Sequence, residues 1–130
     1  MSELRDQYRY SEEHEWALVI DERTVRIGIT DHAQSQLGDI VFIEFPEIGI
    51  ELSAGDSIGS IESVKTVSEL YTPVTGKVIR VNSQLDHAPE LVNEAPYDGG
   101  WIAEIEVAGQ ASEAVAKLLT AEQYEQLTAE

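Results

Sequence analysis

The sequence predicts a mainly β fold, a sandwich or flattened barrel with one short internal helix and a helical tail. Three observations point there. Short runs rich in β-branched and aromatic residues recur at close spacing, Gly- and Pro-bearing turns separate them, and the chain turns Ala-, Glu- and Leu-rich after about residue 110. The 130 residues suit one domain, 1–130, with a β-body over about 8–110, helices over 112–130 and no linker.

Taken in order, residues 16–20 and 24–30 are β-rich runs around Asp21-Glu22-Arg23, a hairpin pattern. Thr30 reads as an N-cap, Asp31 sits in the first turn, Ala33, Gln34 and Leu37 continue a short helix, and Gly38 stops it. Residues 39–45 (DIVFIEF) form an apolar strand ended by Pro46. Short strands follow at 50–54, 57–62, 67–72 and 77–82, broken by Gly55-Asp56 and by Pro73-Val74-Thr75-Gly76. Residues 83–99 read as a long connection, and 101–107 (WIAEIEV) alternate as a half-buried strand should. Ser112 and Thr120 are placed to cap two short helices, with Thr120-Ala121-Glu122-Gln123 matching a capping box and Leu118, Leu119, Tyr124 and Leu127 facing the body.

Charge narrows the function. Against 25 Asp and Glu stand eight Lys and Arg, a formal net charge of −17. Nucleic acid and anionic membrane bind through clustered cations, so neither is an expected partner. With no cysteine, thiolate chemistry and disulfides are closed to the polypeptide, and redox or group transfer would need an attached cofactor. The first residues, MSELRDQYRYSEEHEW, lack an apolar signal region, and no run reaches the ~20 residues of a membrane span. A cytoplasmic, monomeric chain without signal or transit peptide is expected. His14, His32 and His87 lack metal-ligand spacing, and neither a Gly-x-Ser-x-Gly elbow nor a phosphate loop occurs, so an enzyme is not expected.

One lysine stands apart. Gly55 lies ten residues before Lys65 and Gly76 eleven after it, so Lys65 falls at the tip joining the strands 57–62 and 67–72. A solvated tip amine is a poor Schiff-base nucleophile, but another enzyme can reach it. From position alone, an ordinary hairpin lysine remains the alternative reading.

Glu62-Ser63-Val64-Lys65 with Thr66-Val67-Ser68-Glu69-Leu70-Tyr71 resembles the lipoylation segment of the glycine cleavage system H protein family. So do His14-Glu15-Trp16, the stretches 28–34 and 37–42, Pro73-Val74-Thr75-Gly76 with Val81-Asn82, Leu91-Val92-Asn93 before Pro96-Tyr97, and Gly100-Trp101, in order from about residue 8 to 127. The likeness implies the lipoyl/biotinyl carrier fold (a barrel-sandwich hybrid) and one lipoate in amide linkage on Lys65. It implies a non-catalytic carrier that takes an aminomethyl group from the glycine decarboxylase (P protein) to the aminomethyltransferase (T protein). Dihydrolipoyl dehydrogenase (L protein) reoxidises it. Lysine and lipoyl chain together reach roughly 14 Å.

The resemblance further implies that lipoate-attaching enzymes read the hairpin through Glu62, Ser63, Val64 and Gly76, with Gly76 supplying a turn conformation open to glycine. Glu15 and Glu69 would face a cleft that receives the loaded arm, each otherwise a solvated acid. The family alternates apolar with basic residues after Gly-Trp, whereas this chain has Ala103, Glu104 and Glu106. Among rivals, a biotin carrier typically flanks its lysine with methionines, and here Val64 and Thr66 stand there. A phosphopantetheine site, faintly echoed by Asp56-Ser57-Ile58, opens a helix rather than a strand with Gly59. An H-like relay that donates lipoate to other complexes remains open.

Overall fold

A computed structural model describes residues 4–128. The strands are β1 (Arg9–Tyr10), β2 (Glu15–Val19), β3 (Thr24–Ile29), β4 (Ile40–Glu44), β5 (Glu51–Leu52), β6 (Ser57–Ser63), β7 (Val67–Tyr71), β8 (Gly76–Val81) and β9 (Ala103–Glu106). The helices are α1 (Asp31–Leu37), α2 (Leu91–Glu94), α3 (Ala111–Val115) and α4 (Ala121–Thr128), with a 3-10 turn at Ser83–Asp86. The strands form two antiparallel sheets, β1-β2-β3-β9-β8-β5 and β4-β6-β7, rather than a closed barrel.

Alternation explains how the sheets meet. Val25, Ile27, Val78 and Ile105 of the large sheet and Ile43, Ile61 and Leu70 of the small one belong to a single buried cluster. A second cluster is aromatic: Tyr8, Tyr10, Trp16, Tyr97 and Tyr124 join the beginning of the chain, β2, the segment after α2 and α4. Trp16 donates from Nε1 to the Pro96 carbonyl at 2.9 Å, so its one polar atom is satisfied where the ring is buried.

Local signals are met in α1 and α4. Thr30 Oγ1 accepts from the Ala33 amide at 3.1 Å, and Gly38 closes α1 at φ 84°. The Thr120 amide donates to Gln123 Oε1 and the Gln123 amide to Thr120 Oγ1, a reciprocal capping box. Elsewhere the expectations need correcting. Residues 83–99 are not a plain connection but carry the 3-10 turn and α2. Ser112 does not cap α3, which starts at Ala111 because that residue is buried and its amide donates to the Glu22 carbonyl at 2.7 Å. Leu127 is 51% exposed, since α4 packs through Ala121 and Tyr124. The tail expected as far as residue 130 extends beyond the described residues.

Glu104, out of pattern as a sequence position, has a clear task. It lies buried on β9 between Arg26 of β3 and Arg80 of β8, pairing with them at 2.8 and 3.1 Å. Both guanidinium groups lie over the Trp101 ring, at 4.9 and 5.3 Å from its centroid. The charge that would be costly alone is thus held by two cations. No helix among the described residues is long and apolar enough to cross a membrane.

The Tyr124 hydroxyl ties α4 to the body through His14 Nδ1 at 2.7 Å and Thr30 Oγ1 at 2.8 Å. Tyr124→Phe leaves both partners short of a hydrogen bond and should lower stability by about 1–3 kcal/mol, read as a reduced urea midpoint at unchanged slope.

Candidate functional site

The β6–β7 hairpin turns through Val64 and Lys65, and the turn is built by Ser63. Its backbone amide donates to the Thr66 carbonyl at 2.8 Å, and its buried Oγ accepts from the amides of Lys65 and Thr66, each at 3.2 Å. Val64 stands 67% exposed beside Lys65, itself exposed.

The tip is braced from below. The Val64 amide donates to the Asp39 carbonyl at 3.0 Å. Lys65 runs its alkyl stem across Gly38, where an added Cβ would stand 3.1 Å from Lys65 Cε. Asn93 in α2 fixes the Gly38–Ile40 segment: Oδ1 accepts from the Ile40 amide at 2.8 Å, while Nδ2 donates to the Gly38 carbonyl and to Gln34 Oε1, both at 2.9 Å. One side chain therefore holds the end of α1, the following turn and the start of β4.

A cleft of about 210 Å³ lies between α1 and the strands of the hairpin, lined by His14, Glu15, Leu37, Ile61, Glu69 and Leu70 among others. Leu37 directly precedes the Gly38 that carries the lysine stem. Glu15 is buried; its Oε1 accepts from Ser11 Oγ at 2.7 Å and its Oε2 from the Tyr71 amide at 3.4 Å. Burial outweighs these donors and pushes the Glu15 carboxyl up to about 7. His14, at φ 69°, packs 5.0 Å from His32; burial, then the neighbouring imidazole, pulls its pKa down. A larger open cleft of about 420 Å³ has mixed-charge walls including Arg23, Glu51, Asp56, Lys77 and Glu106, and lies at the β5–β8 side of the other sheet.

The predicted site residues separate accordingly. Glu62, Ser63, Val64 and Lys65 share the hairpin end. Glu15 and Glu69 share the cleft, although Glu69 is exposed and its Oε2 accepts from Ser57 Oγ at 2.9 Å. Gly76 joins neither group. It opens β8 in the other sheet and is not at positive φ, so the expected glycine-specific turn is corrected: its side-chain space is filled by the Glu106 carbonyl and by Ile105. The supports Gly38, Asp39 and Asn93 escaped sequence reasoning, Gly38 having been read only as a helix stop.

Asn93→Ala removes three hydrogen bonds and should destabilise the chain by about 1–3 kcal/mol, with faster hydrogen exchange at the Ile40 and Val64 amides than at Val25 or Ile105. Glu15 sets a pH slope. Its folded pKa lies above its unfolded value, so the folded state binds the proton more tightly, and stability falls as pH rises from about 4.5 to about 7. His14, lowered, contributes the opposite slope below its ordinary value of 6.5. Glu15→Gln should therefore remove the decline, leaving thermal unfolding flat or rising with pH over this window.

The comparisons agree with one another. The sequence profile of the glycine cleavage H-protein family matches residues 8–130. The glycine cleavage system H protein of Anoxybacillus flavithermus is 60% identical over 119 residues, covering 92% of this chain and 91% of that protein. That of Bacillus subtilis is 57% identical over 122 residues, 94% of each. The crystal structure of a glycine cleavage system H protein from Mycobacterium marinum superposes with a TM-score of 0.84 at 36% identity, over 95% of this chain and 97% of that one. With two sheets packed as a barrel-sandwich around a braced hairpin, the chain belongs to the glycine cleavage H-protein family.

Proposed function

We propose that the chain is a non-catalytic carrier, residues 1–130 acting as one lipoyl-carrier domain, with lipoate amide-linked to Lys65. The observation that carries this reading is an exposed lysine on a turn hydrogen-bonded through Ser63 and Val64, with no ion pair to Lys65 among the described residues. Converting its ammonium to a neutral amide therefore breaks nothing in the body. When bound, lipoate would supply a reducible disulfide able to carry an aminomethyl group from the P protein to the T protein, with the L protein as the oxidant that would restore it.

The chain's own residues position and shelter. Ser63 and the Gly38–Asp39 segment fix where the stem leaves the surface, so the attached group swings from a defined origin. Glu15 offers a carboxyl beside the cleft that is ionised only towards and above neutral pH, where it can hold a cationic amine. Glu69 edges the same cleft from the hairpin side. Glu62 projects outward three residues before the lysine, available to the attaching enzyme.

Intact mass of the chain from lipoate-replete cells should increase by one lipoyl group, and Lys65→Arg should abolish the increase at unchanged stability. Reconstitution with P protein and glycine should then release CO2 only with the modified chain. Modification elsewhere overturns the site, and modification without glycine turnover assigns the chain to lipoyl relay. Glu15→Ala should leave lipoylation intact while hastening release of formaldehyde and ammonia from the loaded chain.

A further inference from the structure

Asp98 and Gly99 form the chain's single Asp-Gly pair, and no asparagine precedes a glycine. They lie in the turn between α2 and Trp101, with Asp98 exposed. The Gly99 amide donates to no group among the described residues. Nor does the fold require this glycine: its φ is not positive, and an added Cβ would meet only Leu91 Cδ2, at an ordinary 3.7 Å. What the bare Cα supplies is an unhindered amide nitrogen beside a carboxyl group. Arg5 stands against reaction between them. Its Nη1 and Nη2 donate to the two carboxylate oxygens of Asp98, each at 2.8 Å, from a guanidinium that also lies over the Tyr8 and Tyr97 rings. That hydrogen bonding holds the Asp98 carboxyl below the usual carboxylate range, and an ionised carboxylate is a poor electrophile.

We propose that Asp98-Gly99 is a site of spontaneous isomerisation to isoaspartate, restrained by the Arg5 fork, and hence an acceptor for an isoaspartyl carboxyl methyltransferase. The step balances without oxidant or reductant. The Gly99 nitrogen bonds to Asp98 Cγ, a carboxyl oxygen leaves as water with the amide and carboxyl protons, and a succinimide results. Water then opens the ring at the former main-chain carbonyl. The chain now runs through Cβ and Cγ, and a new carboxylate remains on Cα, where it accepts a methyl group from S-adenosylmethionine as an ester. The position gives the change its reach. The Asp98 carbonyl, which accepts from the Trp101 amide at 3.2 Å, is lost as an amide acceptor. One carbon is added between Tyr97, whose carbonyl accepts from the Tyr8 hydroxyl at 2.9 Å, and Gly100, which is packed against the carbonyls of Leu91 and Ala95. Isomerisation therefore strains the aromatic cluster on one side and α2, the element bearing Asn93, on the other.

The test ages the full-length chain and its variants for weeks in neutral buffer below their unfolding temperatures. Each is then incubated with purified isoaspartyl O-methyltransferase and radiolabelled S-adenosylmethionine. Methyl uptake should map to the peptide bearing residues 98 and 99. Gly99→Ala should fall to background at the wild-type unfolding midpoint, because its methyl group shields the amide and has room. Arg5→Ala should accumulate acceptor about threefold faster or more, the modest worth of an exposed pair setting the scale. Arg5→Lys should return part of the restraint. High salt, which screens the pair, should speed the wild-type chain and leave Arg5→Ala unchanged. Tyr8→Phe removes the bond to the Tyr97 carbonyl but not the fork, and should age at the wild-type rate. Uptake no greater than in Gly99→Ala, or uptake confined to another peptide, overturns the site. Equal rates in wild type and Arg5→Ala, or an equal acceleration by Tyr8→Phe, overturn the restraint by Arg5.

Discussion

The geometry of the hairpin tip depends on the three hydrogen bonds of Asn93. An asparagine has one acceptor oxygen and two N–H donors, and here each is used on a different backbone or side-chain group around the α1–β4 junction. That junction then offers the Asp39 carbonyl to Val64 and the bare surface of Gly38 to the lysine stem. A residue in α2, far away in sequence, thus sets where Lys65 points. Ser63 completes the arrangement from within the hairpin by replacing missing backbone partners with its hydroxyl.

Such bracing resolves a conflict between exposure and order. An exposed turn has few apolar contacts and is ordinarily among the least stable parts of a fold. The inward residues of the same strands, Ile61 and Leu70, are buried in the main core, and the tip is tied to a second element rather than left to its own two strands. The hairpin can therefore carry a solvated amine without becoming loose. The adjoining cleft differs in character: it gathers a buried carboxyl and the imidazole of a histidine with left-handed backbone, a concentration of cost that the hydrogen bond from His14 to Tyr124 helps sustain.

Much of this was legible in the chain, for identifiable reasons. The α1 cap, the Thr120–Gln123 box and the hairpin around Lys65 depend on residues a few positions apart. Gly76 needs to be glycine because of the neighbouring strand β9 and not because of its own backbone angles, a tertiary cause that its local turn pattern does not display. The folded segment at 83–99 was hidden by Pro89 and Pro96 and by a packing constraint: Gly100 lies against the carbonyls of Leu91 and Ala95, closing α2 from a distance. Strand β1 has only two residues, paired with β2, and Tyr10 also bridges to Leu119 over a hundred positions away, too short a run for a local pattern to mark. The burial of Glu15 and Glu104 follows from tertiary neighbours that no local pattern names.

The two tryptophans occupy unlike surroundings, and this has an experimental use. Trp16 is enclosed by tyrosine rings and bonded to a carbonyl, whereas Trp101 is half-buried beneath two guanidinium groups. Although Trp101 packs against the edge of the cluster that encloses Trp16, its cationic cover makes it the indole that responds to slippage of β3, β8 and β9, while Trp16 responds to detachment of the tyrosine-bearing segments. Replacing either indole by phenylalanine would turn the remaining one into a native, label-free gauge of a single region, with no dye near the lysine.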